Sequence, residues 1–115
     1  MRPLGELEAV IMDYMWSSSG PATVRQVLDA LDRDPAPAYN TVLTVMDHLY
    51  RKGLLIRTRA GRAHVYSPTQ ARADYMAGAM HELLDDSGDP SATLMRFIDS
   101  MTSVELGRLK RLLDD

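Results

Sequence analysis

The hydrophobic pattern of this chain changes period at Gly53, and that change narrows the folds open to it. Before Gly53, apolar residues recur every three or four positions, as one face of an amphipathic helix requires. Leu4, Leu7, Val10, Ile11 and Tyr14 predict a first helix over residues 5–16, and Trp16 at its end reads as core. The run Ser17-Ser18-Ser19-Gly20-Pro21 breaks it. Thr23 and Gln26 then form a capping box, in which each side chain satisfies an otherwise unpaired backbone N–H of a helix's first turn. Val24, Val27, Leu28 and Leu31 supply the buried stripe of that second helix. Asp34-Pro35-Ala36-Pro37 cannot be helical, so a third helix is predicted over residues 38–52, stopped by Gly53. Its core face is Val42, Val45, Met46 and Leu49.

Beyond Gly53 the period is two. Residues 54–59 and 63–67 predict short strands joined by Ala60-Gly61-Arg62, with Pro68 closing the hairpin. Helical spacing then returns with Met76, Ala79, Met80, Leu83 and Leu84. Ser87-Gly88-Asp89-Pro90 is a break, and Asp89 as N-cap with Pro90 at the first helical position starts another helix, lined by Leu94, Phe97, Ile98 and Met101. A second capping box, Thr102 with Glu105, opens a last helix with Leu106, Leu109, Leu112 and Leu113 inward. Three helices followed by a hairpin is the order of a winged helix. The expected fold is mainly α with a small β-hairpin wing: a winged helix-turn-helix over residues 1–68, then a helical dimerisation region over residues 69–115.

A formal net charge of −3 conceals a basic segment. Residues 38–68 carry Arg51, Lys52, Arg57, Arg59 and Arg62 against Asp47 alone, while acidic residues outnumber basic ones on both sides. Nucleic acid responds to the local field of the face it meets, so the segment matters more than the sum. Opposite the core stripe of the third helix lie Asn40, Leu43, Thr44 and Asp47, with Arg51 one turn on. Asn can pair with adenine, Thr can bond base or phosphate, and an apolar side chain can meet a thymine methyl. Asn40 could also serve simply as the helix cap. Tyr39, Asn40 and Thr41 sit at the helix N-terminus, where free N–H groups favour phosphate. Arg57, Arg59 and Arg62 on the hairpin suit the DNA backbone or minor groove, or else form a solvated edge. Thr23 completes the candidate DNA-binding set.

Other chemistries find little support. With no cysteine there is no disulfide or thiolate metal site, in keeping with a reducing cytosol, and His48, His64 and His81 lack metal-ligand spacing. No nucleophile motif or phosphate-binding glycine loop occurs, and no cofactor is expected. The first residues lack the apolar stretch of a secretory signal and no apolar run is long enough to span a membrane, so a cytoplasmic protein is expected.

Three stretches together resemble the penicillinase-repressor (BlaI/MecI) family. They are residues 7–16 (Leu-Glu-Ala-Val-Ile-Met-Asp-Tyr-Met-Trp), residues 23–27 (Thr-Val-Arg-Gln-Val) and residues 39–46 (Tyr-Asn-Thr-Val-Leu-Thr-Val-Met), the last followed by Leu49-Tyr50-Arg51-Lys52-Gly53. The resemblance continues through the hairpin, Arg62-Ala63-His64-Val65-Tyr66-Ser67-Pro68, and more weakly to the C-terminus. It implies a homodimeric repressor of a palindromic operator, relieved when a membrane sensor-protease pathway causes cleavage in the C-terminal region. The family's Asn-Phe bond falls on Arg96-Phe97 here, a departure at the residue before the bond. The thiolate copper sensing of cysteine-tailed relatives is absent for want of cysteine.

A dimer is expected on spacing as well. The short helices after residue 69 each carry one apolar stripe and have too few residues to enclose a separate core. Met76, Met80, Leu83, Leu94, Phe97, Ile98, Met101, Leu109, Leu112 and Leu113 are the candidate interface. Two rival functions remain on sequence: a ligand-sensing winged-helix regulator, and a winged helix serving as a protein-interaction module. An adaptor would tend to expose an apolar patch where this chain has arginines.

Overall fold

The computed structural model describes residues 4–114; residues 1–3 and 115, the outer ends of the two expected domains, lie outside that description. The elements follow in the order α1 (Glu6–Ser17), α2 (Val24–Ala30), α3 (Tyr39–Arg51), β1 (Leu55–Ala60), β2 (Ala63–Pro68), α4 (Arg72–Asp86), α5 (Pro90–Ser100) and α6 (Ser103–Leu113). The chain forms two compact units, one running to Tyr75 and the other from Met76 onward.

In the N-terminal unit, α1, α2 and α3 pack around one core closed by the hairpin. Ile11, Met12 and Met15 of α1, Val24 and Val27 of α2, and Val42, Met46 and Leu49 of α3 meet Ala22, Leu55 and Tyr66 there. Burial corrects the sequence reading of α1. Its innermost residues are Ile11, Met12 and Met15, while Leu4, Leu7 and Tyr14 are only partly covered. Trp16 is likewise half-buried at the edge of the core.

Local signals set the ends of these helices. The Thr23 hydroxyl accepts from the Gln26 N–H at 3.1 Å, and the Gln26 side chain accepts from the Thr23 N–H at 2.9 Å. At the C-terminus of α3, Leu54 N–H bonds to the Leu49 carbonyl and Gly53 N–H to that of Tyr50. This paired return requires a left-handed residue, and Gly53 supplies it at φ +86. The strands pair antiparallel with Leu55 opposite Pro68 and Ala60 opposite Ala63, leaving Gly61-Arg62 as a two-residue turn. Gly61 stands at φ +65 and no described non-glycine residue has positive φ, which is the pattern of a type II′ hairpin loop. Ala22 adds one further rung: its N–H and C=O both bond to Tyr66, at 2.9 and 2.8 Å, tying the α1–α2 connection to the wing.

The unit continues past Pro68 because Trp16 holds the start of α4. Its indole N–H donates to the Gln70 carbonyl at 3.2 Å, and its ring lies 5.3 Å from that of Tyr75. The Arg72 guanidinium lies over the indole at 5.4 Å and pairs with Asp13 at 3.1 Å.

The C-terminal unit is built differently. Asp89 caps α5 by accepting from the Ala92 N–H at 3.1 Å, with Pro90 in the first turn, and Thr102 and Glu105 form the reciprocal box that opens α6. Yet α4, α5 and α6 contain no fully buried residue. Met80, Leu83, Leu84, Thr93, Leu94 and Phe97 instead line an open apolar groove of about 240 Å³ between α4 and α5.

Candidate nucleic-acid interface

The outward face of α3 is laid out by the same period that buries Val42, Met46 and Leu49. Tyr39, Asn40, Thr41, Leu43 and Thr44 are all exposed, Leu43 at 38 % despite being apolar. The N-cap of α3 is Ala38, not Asn40, and its carbonyl accepts from Thr41 and Val42. Asn40 is therefore a helical residue whose amide is not spent on a cap. The N–H groups of Tyr39 and Asn40 precede the first bonds of the helix and point along its axis, where partial positive charge collects.

Thr23, Tyr39, Leu43 and Arg62 come together around one cleft of about 250 Å³, formed where the starts of α2 and α3 meet β2. Arg25 and His64 line the same cleft. Neither stands out in the sequence: Arg25 lies in an acidic stretch, and His64 reads as an isolated histidine on a strand. The signal for Arg25 is its place two residues after the N-cap Thr23, on the exposed side of α2. Its guanidinium stacks 5.0 Å from the Tyr39 ring, so a cation is fixed beside the first turn of α3. His64 packs edge-on against Tyr66 at 6.3 Å.

The remaining arginines divide into two kinds. Arg59 and Arg62 are exposed at the end of the hairpin, and Arg59 donates to the Gly61 carbonyl at 3.3 Å. Arg57 is turned back toward α3. It bonds to Asp47 at 3.0 Å and lies 4.1 Å from the centre of the Tyr50 ring. Arg51 pairs with the other oxygen of Asp47 at 2.9 Å. Across the hairpin from Arg57 is Tyr66, whose buried hydroxyl has no partner of hydrogen-bond geometry. The nearness of Tyr66 first, and Asp47 after it, raise the Arg57 pKa further above its already high value, outweighing the lowering by burial.

Lys52 bonds to Glu8 at 2.7 Å and joins the end of α3 to α1. The Lys52 ammonium, with the Gly5 N–H, holds the Glu8 carboxyl below the usual carboxylate range.

A helix with polar and apolar side chains presented outward, beside a hairpin ending in exposed arginines, is the layout of a winged-helix DNA reader. The penicillinase repressor family model matches residues 4–115. The chain belongs to the penicillinase repressor family. It is 41% identical over 113 residues to the transcriptional regulator BlaI of Mycobacterium tuberculosis, covering 96% of this chain and 82% of that one. It is 24% identical to the penicillinase repressor of Bacillus licheniformis over 97% of this chain and 90% of the relative. Among solved structures, the DNA-binding domain of the repressor BlaI superposes with a TM-score of 0.54 at 26% identity, covering 65% of this chain and 94% of that domain. A MarR family protein from Bacillus stearothermophilus matches in fold at TM-score 0.51 and 16% identity, covering 98% of this chain and 72% of that one. The family is one of transcriptional repressors, and no described helix is long and apolar enough to cross a membrane.

Proposed function

We propose that this penicillinase repressor family member acts as a cytoplasmic homodimer that represses transcription from a palindromic operator. Each protomer places α3 in the major groove, with Asn40, Leu43 and Thr44 toward the base edges. Thr23, Tyr39, Thr41 and Arg51, with Arg59 and Arg62 of the wing, meet phosphates, and Arg57 braces the wing against α3. The observation that carries this reading is the exposed row Asn40, Leu43 and Thr44, none of which the fold itself uses. An apolar Leu43 in that row has a purpose against a thymine methyl and none against water.

Dimerisation is supported by the α4–α5 groove and by the exposed apolar side chains of the C-terminal unit, Met76, Met80, Leu83, Leu94, Phe97, Ile98, Leu112 and Leu113 among them. A single winged helix contacts one half-site, and joining two raises affinity through effective concentration. Relief of repression would follow cleavage at Arg96-Phe97 through a membrane sensor-protease pathway; that bond lies within α5 and Phe97 is 52 % exposed.

The experiment begins with a duplex enriched from a random pool by the wild-type protein. Asn40→Ala and Thr44→Ala should each lose about 1–3 kcal/mol on that duplex and much less on random sequence. Equal losses on both duplexes would reduce these residues to phosphate contacts, and no loss on either would remove α3 as the reader.

A further inference from the structure

Asp47 is the only acidic residue in the basic segment over residues 38–68, and its two oxygens are divided between two elements. Oδ2 holds Arg51 Nε one turn along α3 at 2.9 Å, and Oδ1 holds Arg57 Nη1 of β1 at 3.0 Å. Arg57 is additionally stacked on Tyr50, and its side chain is only 27% exposed, against 74% for Arg51. We propose that Asp47 is a specificity-determining residue of the DNA-binding face, which withholds Arg51 and Arg57 from indiscriminate phosphate contact. The inference rests on the reading that α3 and the wing meet DNA.

The physical case concerns which partners the guanidiniums have before DNA arrives. Non-specific affinity comes from neutralising phosphates and releasing their counterions, so it scales with the number of cations free to do so. A carboxylate already shared by two arginines lowers that number. When Arg51 swings away, the carboxylate stays behind as a negative charge facing a polyanion. Base-edge contacts from Asn40 and Thr44 carry no such penalty, because they are short-range and neutral. Where base contacts hold α3 in one register, Arg51 can reach phosphate with its Nη groups while Nε stays on Asp47, so the cost falls mainly on random sequence and the ratio of specific to random binding widens. Asp47 also joins α3 to β1 through Arg57, fixing the wing's root against the reading helix.

The test compares Asp47→Asn and Asp47→Ala with wild type on a random-sequence duplex and on the duplex enriched by the wild-type protein, across a range of salt. Both variants should fold, since the core that holds α3 is made by Val42, Met46 and Leu49 and a carboxylate in the latter half of a helix opposes its dipole. Random-sequence binding should tighten about 3–10-fold at low salt, and the salt slope should steepen by roughly one phosphate contact. Affinity for the enriched duplex should change less, narrowing the discrimination. Asp47→Glu keeps the charge and should keep the wild-type slope; adding Arg51→Gln to Asp47→Asn should return the slope toward wild type. Unchanged random-sequence affinity and slope in both neutral variants would overturn the proposal. A loss confined to the enriched duplex would also overturn it, since Asp47 would then be accepting from a cytosine amine. If the wild-type protein binds neither duplex at low salt, the DNA reading itself fails. Wild-type binding with unaltered neutral variants removes only the role of Asp47.

Discussion

The two units of this chain are stabilised by different means, although each is built mostly of short helices. In the N-terminal unit, Ile11, Met12, Met15, Val27, Val42, Met46, Leu49, Leu55 and Tyr66 are at most 1% exposed. From Met76 onward, side chains of the same kinds stand open: Met80 at 57%, Leu83 at 70%, Leu94 at 44% and Phe97 at 52%. Capping does not account for the contrast, since Thr102 opens α6 with the same reciprocal box by which Thr23 opens α2, and Asp89 caps α5 as well. Caps decide where a helix begins; burial decides whether it persists. Isolated helices of 11 residues such as α5 and α6 are marginal in water. The N-terminal unit carries its own core, whereas the helices of the C-terminal unit bury no residue fully. On the proposed reading, a second copy covers them.

The largest effect within the N-terminal unit is expected from Leu49→Ala. Leu49 is fully buried where α3 meets the rest of the core. Its truncation should cost about 2–5 kcal/mol, by lost transfer energy and the cavity left behind. Because that core closes within one chain, the loss in the thermal midpoint should not depend on protein concentration. A concentration-dependent loss at Leu49 would erase the distinction between the units.

A much smaller effect is expected from Glu8→Gln, which removes the tie between Lys52 and Glu8 within the N-terminal unit. The folded-state pKa of Glu8 is depressed by Lys52 first and by the Gly5 N–H second. Its contribution is therefore present above the unfolded pKa of an ordinary glutamate and lost as pH falls through the lower folded value. The Lys52 ammonium is partly exposed, so the contribution is of the order of 0.2–1 kcal/mol. Wild type should lose this increment on acidification and Glu8→Gln should not, as denaturant melts at pH 7 and below pH 4 would record. Parallel acid losses in the two proteins would show that the tie contributes nothing.

What the sequence disclosed follows the same division between local and distant causes. The capping boxes at Thr23 and Thr102, the Asp89 cap, the Gly53 stop and the Gly61 turn each depend on residues within a few positions, and the chain spells them out. The inward face of α3 was equally legible, because Val42, Met46 and Leu49 stand out against polar neighbours. Helix α1 is apolar on most of its sides, so periodicity does not fix its rotation, and Met12 and Met15 do not stand out as core in the sequence. The Ala22–Tyr66 rung, the hold of Trp16 on Gln70 and Tyr75, and the capture of Arg57 by Asp47 and Tyr50 were out of reach. Each joins residues of different elements through one or two contacts, which leave no periodic trace. Arg57 shows the consequence most clearly: its charge reads as a surface feature, but its geometry makes it a brace.

The measurement that bears most directly on the central claim is sedimentation of the full chain over a dilution series, paired with Phe97→Ala. A dimer is predicted at micromolar concentration. Phe97→Ala, mild for a half-exposed ring in a single chain, should shift the protein toward monomer if the second copy buries that ring, at a cost approaching 3–5 kcal/mol. Its DNA binding should become steeply concentration-dependent as the second half-site contact is lost. A wild-type monomer at micromolar concentration that binds the enriched duplex as tightly as before would contradict the account. The C-terminal apolar surface would then serve something other than a second copy of this chain.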